Sequence, residues 1–220
     1  MNAGVITMDG LTTPETSTRF ARTRPARKVE GVSDDEDAQL MLAYAKGEMR
    51  AFETLYARHR GALYRYLVRH ARDGEIANDL FQEVWSRVIV NRARYEPRAK
   101  FRTFLFTLAH NCFIDHCRRA KSRPAGASID EADAADLLAA DDGLRPDTAL
   151  EREEGSRRYR AALAALPQEQ RDVYLLHEEA DLSLEEIARV TGVGAETAKS
   201  RLRYAVGKLK AALAVTEDVT

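Results

Sequence analysis

The residues best suited to contact nucleic acid lie near the end of the chain, in LSLEEIARVTGVGAETAKSRLRYAVGKL, residues 182–209. Ser183 and Glu186 have the spacing of a capping box, in which a hydroxyl and a carboxylate each satisfy a free backbone N–H at the start of a helix. Gly192 permits a left-handed turn, and Val193 can fill the gap between the flanking helices. The segment is therefore predicted to form a helix-turn-helix.

The second helix of this segment is predicted to expose polar and basic side chains. In a major groove, arginine can read guanine, hydroxyls can reach bases or phosphates, and lysine neutralises phosphate. A merely solvated helix face is the alternative, but the capping box, the glycine turn and the basic face together favour DNA binding. The residues expected to contact DNA are Glu196, Thr197, Lys199, Ser200, Arg201 and Arg203. Those expected to face inward are Ala198, Leu202, Ala205, Val206 and Leu209.

The composition of the chain is that of a soluble globular protein. Its 220 residues, 45% hydrophobic and 31% charged, leave room for two small domains. No apolar run approaches the roughly 20 residues of a membrane helix, and the first residues do not have the pattern of a signal peptide. The sequence therefore predicts a cytoplasmic protein without direct membrane insertion. The formal net charge of -1 conceals two basic zones that flank an acidic stretch.

Hydrophobic residues recur at helical spacing from Ser33 onward, which predicts an all-α fold. Ser33 or Asp34 is expected to cap the first helix, whose buried side would be Leu40, Met41, Ala43 and Tyr44. Further helices are predicted over about 48–70, 75–92 and 101–121, and then over about 148–165 and 167–179 ahead of the helix-turn-helix.

The predicted helix over 75–92 has two contrasting faces. Ile76, Leu80, Val84 and Val88 form an i, i+4 row that is expected to be core, supported by Ala77, Phe81, Trp85 and Ile89. Asp79, Gln82 and Glu83 share the face opposite this row. Carboxylates and an amide placed there could bind a basic partner surface through charge-assisted contacts.

The same patterns predict how the chain is divided. We expect a disordered leader over 1–33, a helical bundle over 34–122 and an acidic flexible linker over 123–146. The helix-turn-helix domain is expected over 147–214, followed by a tail over 215–220.

His110, Cys112, His116 and Cys117 raise the alternative of a zinc or redox site. On one helix, residues one or two apart point in different directions, and the sequence has no second Cys/His cluster to complete a tetrahedral set. It also has no Ser/His/Asp set, Gly-rich phosphate loop or paired catalytic carboxylates. We therefore predict no metal, no cofactor and no enzymatic activity.

The helix-turn-helix resembles region 4 of the sigma-70 family. The matching residues are Glu-Glu-Ile-Ala at 185–188, the Gly-Val turn at 192–193 and Thr-x-Lys-Ser-Arg at 197–201, with LPQEQRDVYLLH at 166–177 resembling the preceding helix. Many regulators contain a helix-turn-helix, so this resemblance alone is weak.

A second resemblance lies in the front half of the chain. AFETLYARH at 51–59, NDLFQEVW at 78–85 and FRTFLFTLAHNCFIDHCRR at 101–119 follow the order and spacing of sigma region 2. The chain has no room for the region 3 domain of larger sigma factors. It is therefore similar to the extracytoplasmic function (ECF) group, which has two domains and a linker.

The resemblance implies partners and residue roles. Core RNA polymerase and promoter DNA would be the partners, with an anti-sigma factor as a further candidate. Region 4 would meet the flap of the second-largest polymerase subunit. The Asp79, Gln82 and Glu83 face would grip the clamp helices of the largest subunit. Residues implied at the minus-10 element are Arg98, Lys100, Arg102, Asn111, Asp115, Arg118 and Arg119.

Within that minus-10 set, Asn111 and Asp115 are expected to contact base edges and the basic residues to contact phosphates. Phe104, Phe106 and Phe113 are expected to be core residues more than stacking platforms. In the free protein, the linker carboxylates from Asp130 to Asp142 are expected to compete with phosphate for the basic faces.

Two alternatives stay open at this point. A repressor or activator could use the helix-turn-helix without polymerase and would bind duplex DNA tightly by itself. An adaptor could hold polymerase without reading a promoter, but the basic face carrying Lys199 and Arg201 would then be unexplained.

Overall fold

The computed structural model describes residues 35–122 and 146–214, and side chains from 154 onward in the second range. Within these ranges the chain is all-helical and has no strand, which confirms the predicted fold class. The predicted leader, the linker up to residue 145 and the tail lie outside the described residues. The helices are α1 (Glu36–Ala45), α2 (Met49–Ala71), α3 (Gly74–Asn91), α4 (Phe101–Ser122), α5 (Pro146–Ala165), α6 (Gln168–Glu178), α7 (Leu184–Thr191) and α8 (Ala195–Ala214), with a 3-10 turn at Arg92–Arg94.

Helices α1 to α4 form a bundle around a shared apolar core. Phe52 of α2 meets Trp85 of α3 edge to face, with ring centroids 5.7 Å apart, and Tyr66 meets Phe106 of α4 at 5.4 Å. Such pairs contribute about 0.5–1.5 kcal/mol beyond their area burial. The core therefore fixes α3 and α4 against α2, and with them the polar faces that these helices carry.

The core row of α3 follows the prediction over most of its length. Leu80, Val84 and Val88 are buried and Ile76 is partly buried. Ile89, which we expected to support the row, is 36% exposed. This expectation was wrong because each step of four residues rotates the row by about 40° around the helix axis. By the end of α3 the flanking row has turned toward solvent.

The start of α1 differs from the prediction. Its N-cap is Asp35, and no side chain caps it; Ser33 and Asp34 lie outside the described residues. The Asp35 carboxylate instead accepts a hydrogen bond from Phe101 N at 2.6 Å, so it caps α4. Met41 and Tyr44 are buried as expected, whereas Leu40 and Ala43 are only partly buried.

The second domain contains the predicted helix-turn-helix. Ser183 and Glu186 form a complete capping box at the start of α7, and Gly192 ends this helix in the left-handed conformation with φ 71°. On α8, Ala198, Ala205 and Leu209 are buried, while Leu202 and Val206 are partly buried. The geometry that the spacing predicted for this segment is therefore confirmed.

The two domains pack against each other in a closed arrangement. Helix α4 contacts α7, and α2 contacts α6. Just past the end of α6, Glu179 accepts a hydrogen bond from Arg65 Nε at 2.8 Å and also pairs with Arg69. None of the described helices is long and apolar enough to cross a membrane.

Candidate nucleic-acid and protein interfaces

The polar face of α3 is open to solvent at two of its three predicted residues. Asp79 and Gln82 are exposed, and their side chains form no hydrogen bond or ion pair with another described residue. Glu83 is half-buried and accepts a hydrogen bond from Arg87 at 2.5 Å. This face therefore offers a carboxylate and an amide to a partner surface.

An ion-pair network joins this face of α3 to α4. Arg87 lies between two carboxylates, hydrogen-bonded to Glu83 and 4.0 Å from Asp115. Glu83 is also 3.7 Å from Arg119, and Asp115 is 3.7 Å from Arg118. Residues that the sequence assigned to two different interfaces therefore belong to one network.

A cavity of about 790 Å³ opens beside this network. Of the residues expected at the minus-10 element, Arg98, Asn111 and Asp115 line it. The other lining residues were not anticipated as site residues: Arg87, Asn91, Arg94, Tyr95, Glu96, Phe104 and Leu108.

The cavity combines an aromatic wall with polar groups. Tyr95 and Phe104 meet at 67° with centroids 5.2 Å apart, and Asn91 Nδ2 donates to Arg87 O at 2.8 Å. Arg98 is paired with Glu96, with Nε donating at 2.8 Å. An unstacked base needs an apolar or aromatic surface and hydrogen-bonding groups for its edge, and this cavity supplies both.

The three phenylalanines expected to be core divide into two groups. Phe106 and Phe113 are buried, as expected. Phe104 is partly buried against the same core and also forms part of the cavity wall, so its assignment as a core residue or a stacking platform stays a prediction. It follows Phe101 by three positions, and Phe101 takes the buried position at the start of α4.

Lys100 and Arg102 are directed away from the cavity and toward the second domain. Lys100 Nζ lies 3.3 Å from Glu186 Oε1, and Arg102 Nη1 lies 3.1 Å from Asp181 Oδ2. Thr103 donates a hydrogen bond from its hydroxyl to Glu186 at 3.2 Å. The predicted minus-10 residues therefore fall into three groups. Arg98, Asn111 and Asp115 line the cavity, Lys100 and Arg102 pair with the second domain, and Arg118 and Arg119 belong to the ion-pair network between α3 and α4.

Glu186 is the residue at which these contacts meet. One carboxylate oxygen accepts from Ser183 N at 2.9 Å within the capping box, and the other faces Lys100 and Thr103. Burial would raise the pKa of Glu186, but the Ser183 hydrogen bonds and the charge of Lys100 outweigh burial and lower the pKa. The carboxylate is therefore ionised at neutral pH, where it serves the helix cap and the domain contact together.

Helix α8 exposes Glu196, Thr197, Lys199 and Arg203, as predicted. Ser200 is only partly exposed. The Arg201 side chain is 24% exposed and pairs with Glu169 at the start of α6, so it is less accessible than its sequence pattern indicated.

One further aromatic side chain is exposed on α8. Tyr204 was not among the predicted DNA-contacting residues. Its side chain is 55% exposed and lies under the Arg203 guanidinium, 5.3 Å from it.

The residues considered for a zinc or redox site differ in burial. His110 and Cys112 are buried on α4, whereas His116 and Cys117 are half-buried. No cluster of three or more potential metal ligands is found within the described residues.

Comparisons with known proteins find a family match for each of the two domains. The family model for sigma-70 region 2 matches residues 55–123, and the model for sigma-70 region 4 matches residues 156–209. The RNA polymerase sigma factor CarQ of Myxococcus xanthus is 32% identical over 177 residues, which cover 80% of this chain and 97% of that protein. The ECF RNA polymerase sigma factor SigC of Mycobacterium tuberculosis is 30% identical over 180 residues, 79% of this chain and 89% of that protein.

Two solved structures share the fold. CnrH, in complex with the cytosolic domain of CnrY, has a TM-score of 0.60 at 24% identity and covers 82% of this chain and 98% of its own. The sigma factor RpoE in complex with the anti-sigma factor NepR, from Bartonella quintana, has a TM-score of 0.56 at 20% identity and covers 75% and 98%. With both domains matched in order and relatives matched over nearly their whole length, the chain belongs to the sigma-70 family of RNA polymerase sigma factors, in its ECF group.

Proposed function

We propose that this sigma factor binds core RNA polymerase through the Asp79, Gln82 and Glu83 face, reads the minus-35 element with α8 and opens the minus-10 element at the α3–α4 cavity. It directs initiation and catalyses no reaction itself, acting in the cytoplasm with the polymerase. The proposed domain boundaries remain 34–122 for region 2, 123–146 for the linker and 147–214 for region 4.

The observation that carries this proposal is the network that joins the α3 face to the cavity. Arg87 contacts Glu83 on one side and Asp115 on the other, and both Arg87 and Asp115 line the cavity. A partner bound at α3 would therefore hold the cavity at a fixed place on the polymerase surface. An extruded base could stack against Phe104 and Tyr95 and bond to Asn111 through its edge.

The closed arrangement supports a sequence of binding events. Asp79 and Gln82 are open to polymerase, whereas Lys100 and Arg102 are paired with carboxylates of region 4. Binding to polymerase would come first, and separation of the domains would then release the basic residues for phosphate. The competing carboxylates seen here are in region 4. The expected competition by Asp130 to Asp142 lies outside the described residues and stays a prediction.

Two structurally similar proteins form complexes: CnrH with the cytosolic domain of CnrY, and the sigma factor RpoE with the anti-sigma factor NepR. We propose that a comparable inhibitor exists for this chain and stabilises the closed arrangement.

Strand opening tests the cavity directly. Holoenzyme carrying Asn111→Ala should bind promoter DNA and show weaker permanganate reactivity of unpaired thymines near the minus-10 element. Arg118→Ala is the matched control, because Arg118 is exposed on α4 and is expected to contact phosphate. This variant should bind promoter DNA more weakly, while the DNA that stays bound should open as in the wild type. Wild-type reactivity in Asn111→Ala would remove Asn111 from the base-contacting set.

A further inference from the structure

A cluster of buried ionisable groups lies where the two domains meet. His70 of α2 and Asp172 of α6 place Nδ1 and Oδ1 3.3 Å apart, with the side chains 0% and 7% exposed. His110 of α4 and Asp172 also line an interdomain cavity of about 420 Å³. Each histidine belongs to region 2 and the carboxyl group belongs to region 4, so separation of the domains would open the His70–Asp172 contact and the cavity wall at His110 to water.

Other polar groups face this cluster from every helix packed around it. Arg72 and Arg171 both donate to Ala164 O at the end of α5, which holds two positive charges near the histidines. The remaining charged or titratable neighbours are Tyr66 of α2, Cys117 of α4, Glu169 of α6 and Arg201 of α8.

Four of the six polar side-chain atoms in the three central groups make no hydrogen bond with another described residue. Both ring nitrogens of His70, Nδ1 of His110 and Oδ1 of Asp172 are buried and have no aligned hydrogen-bond partner among the described residues. The His70–Asp172 approach is close in distance but lacks hydrogen-bond geometry. Burial and neighbouring charge therefore control the protonation of these groups.

Burial shifts the groups in opposite directions. Burial lowers the pKa of His70 well below its ordinary value of 6.5, and the nearby Arg171 lowers it further. Burial also lowers the pKa of His110 to about 4. Burial raises the pKa of Asp172 from 3.8 to about 7, against the opposing charge of Arg171.

The sign of the pH effect follows from counting protons in the two arrangements. Between about pH 5 and pH 6, the closed form holds one proton of this set, on Asp172, because burial keeps both histidines neutral. The separated form holds two, on His70 and His110, because both regain ordinary values near 6.5. Separation thus takes up about one proton in this window and almost none above pH 7.5.

We propose that the His70, His110 and Asp172 cluster is a proton-sensitive latch between regions 2 and 4, which favours the closed arrangement at neutral pH and domain separation in mild acid. Its consequence for transcription rests on the proposed function, but separation itself can be measured without polymerase or DNA. The latch would expose the DNA-facing residues of both domains as pH falls.

The test uses full-length protein with a donor and an acceptor dye at Ser86 and Lys208, which are exposed on α3 and α8. Energy transfer is followed from pH 7.5 to 4.5, and far-UV circular dichroism checks that the helices persist. In the wild type, the closed-to-separated ratio should fall by up to about tenfold per pH unit below pH 6.5.

The variants distinguish this latch from a general effect of acid. Asp172→Asn removes the carboxyl group that releases its proton when the domains separate. The closed-to-separated ratio should then fall more steeply, toward about a hundredfold per pH unit. His70→Gln with His110→Gln leaves Asp172 alone, so acid should then favour the closed form. Both changes of slope would support the proposal. If the histidine variant loses helicity, the Asp172→Asn result alone decides.

His116→Gln with His177→Gln is the matched control, because these two histidines lie outside the cluster. It should keep the wild-type slope. A constant transfer efficiency over the whole range, or one slope shared by the wild type and all variants, would overturn the proposal. Neither result would affect the proposed contacts with polymerase or promoter.

Discussion

Lys100 Nζ at the start of α4 lies 3.3 Å from Oε1 of Glu186, the carboxylate that caps the first helix of the helix-turn-helix. A residue expected to bind DNA phosphate is therefore paired with the residue that starts the other DNA-binding unit. The same carboxylate accepts a hydrogen bond from Thr103. The contact between the two domains and the pairing of Lys100 with a carboxylate are thus one structural feature.

Removing the masking charges should increase DNA binding by the free protein. Asp181→Asn with Glu186→Gln removes the negative charges that face Arg102 and Lys100, and Arg102 keeps its 3.4 Å hydrogen bond to Ala180 O. The amide oxygen introduced by Glu186→Gln can still accept from Ser183 N in the capping box. Because each pair is partly exposed, we expect a gain of only about three- to tenfold in affinity at low salt. Fluorescence anisotropy with promoter DNA measures it.

The control for this prediction is Glu178→Gln, which neutralises an exposed carboxylate of region 4 that pairs locally with His177. Its affinity should match the wild type. An equal gain in both proteins would mean that net charge, and not the contact with Lys100 and Arg102, limits binding.

Loss of the α3 carboxylates should weaken binding to core polymerase. Asp79→Ala with Glu83→Ala removes both charges from a face that lies off the core row, so the fold should persist. We expect at least about a tenfold loss in a competition assay, equivalent to about 1.4 kcal/mol. Asp79→Ala alone leaves the Arg87 network intact and should account for a measurable part of that loss.

Glu53→Ala is the matched control, because Glu53 is an exposed carboxylate on α2. It should compete as well as the wild type. Unchanged affinity in the double variant would remove the α3 face from the polymerase interface.

Arg201→Ala should reduce occupancy of the minus-35 element by holoenzyme. A lost base contact costs about 1–3 kcal/mol, although Arg201 must first leave its partner Glu169. Binding to core polymerase should be nearly unchanged. Footprinting on the wild-type promoter measures the effect, with Lys210→Ala, exposed near the end of α8, as the control. Identical footprints would show that Arg201 does not read DNA.

Asp35→Ala should destabilise region 2 and loosen the start of α4. The carboxylate caps Phe101 N at 2.6 Å, and loss of such a cap costs about 0.5–2 kcal/mol. Thermal unfolding followed by circular dichroism should show a lower midpoint, with Asp35→Asn losing less because its amide oxygen can still accept. Equal losses in the two variants would argue against a capping contact.

The sequence predicted those features that depend on local spacing. The capping box of Ser183 and Glu186 and the left-handed turn at Gly192 require only residues close in the chain, and both are present. Contacts between distant segments were not predictable in this way. Asp35 caps a helix that begins 66 residues later, and Glu186 meets Lys100 from another domain.

The cavity shows the same limit on prediction from sequence. Asn111 and Asp115 were singled out on α4, but Tyr95 and Asn91 come from other segments and join them only after folding. The run NRARYEP, residues 91–97, did carry a signal, since arginine and tyrosine together before a helix are suited to nucleic-acid binding. For Arg201, the helical position predicted an exposed side chain, but pairing with Glu169 makes that side chain less accessible.

The most direct test of the central claim compares promoter opening with and without core polymerase. Permanganate reactivity near the minus-10 element and run-off transcription should both appear when this chain and core polymerase are combined at physiological salt. The isolated chain should bind the same DNA weakly and open none of it. Tight, specific binding by the isolated chain, with no opening when polymerase is added, would contradict the account and favour a repressor.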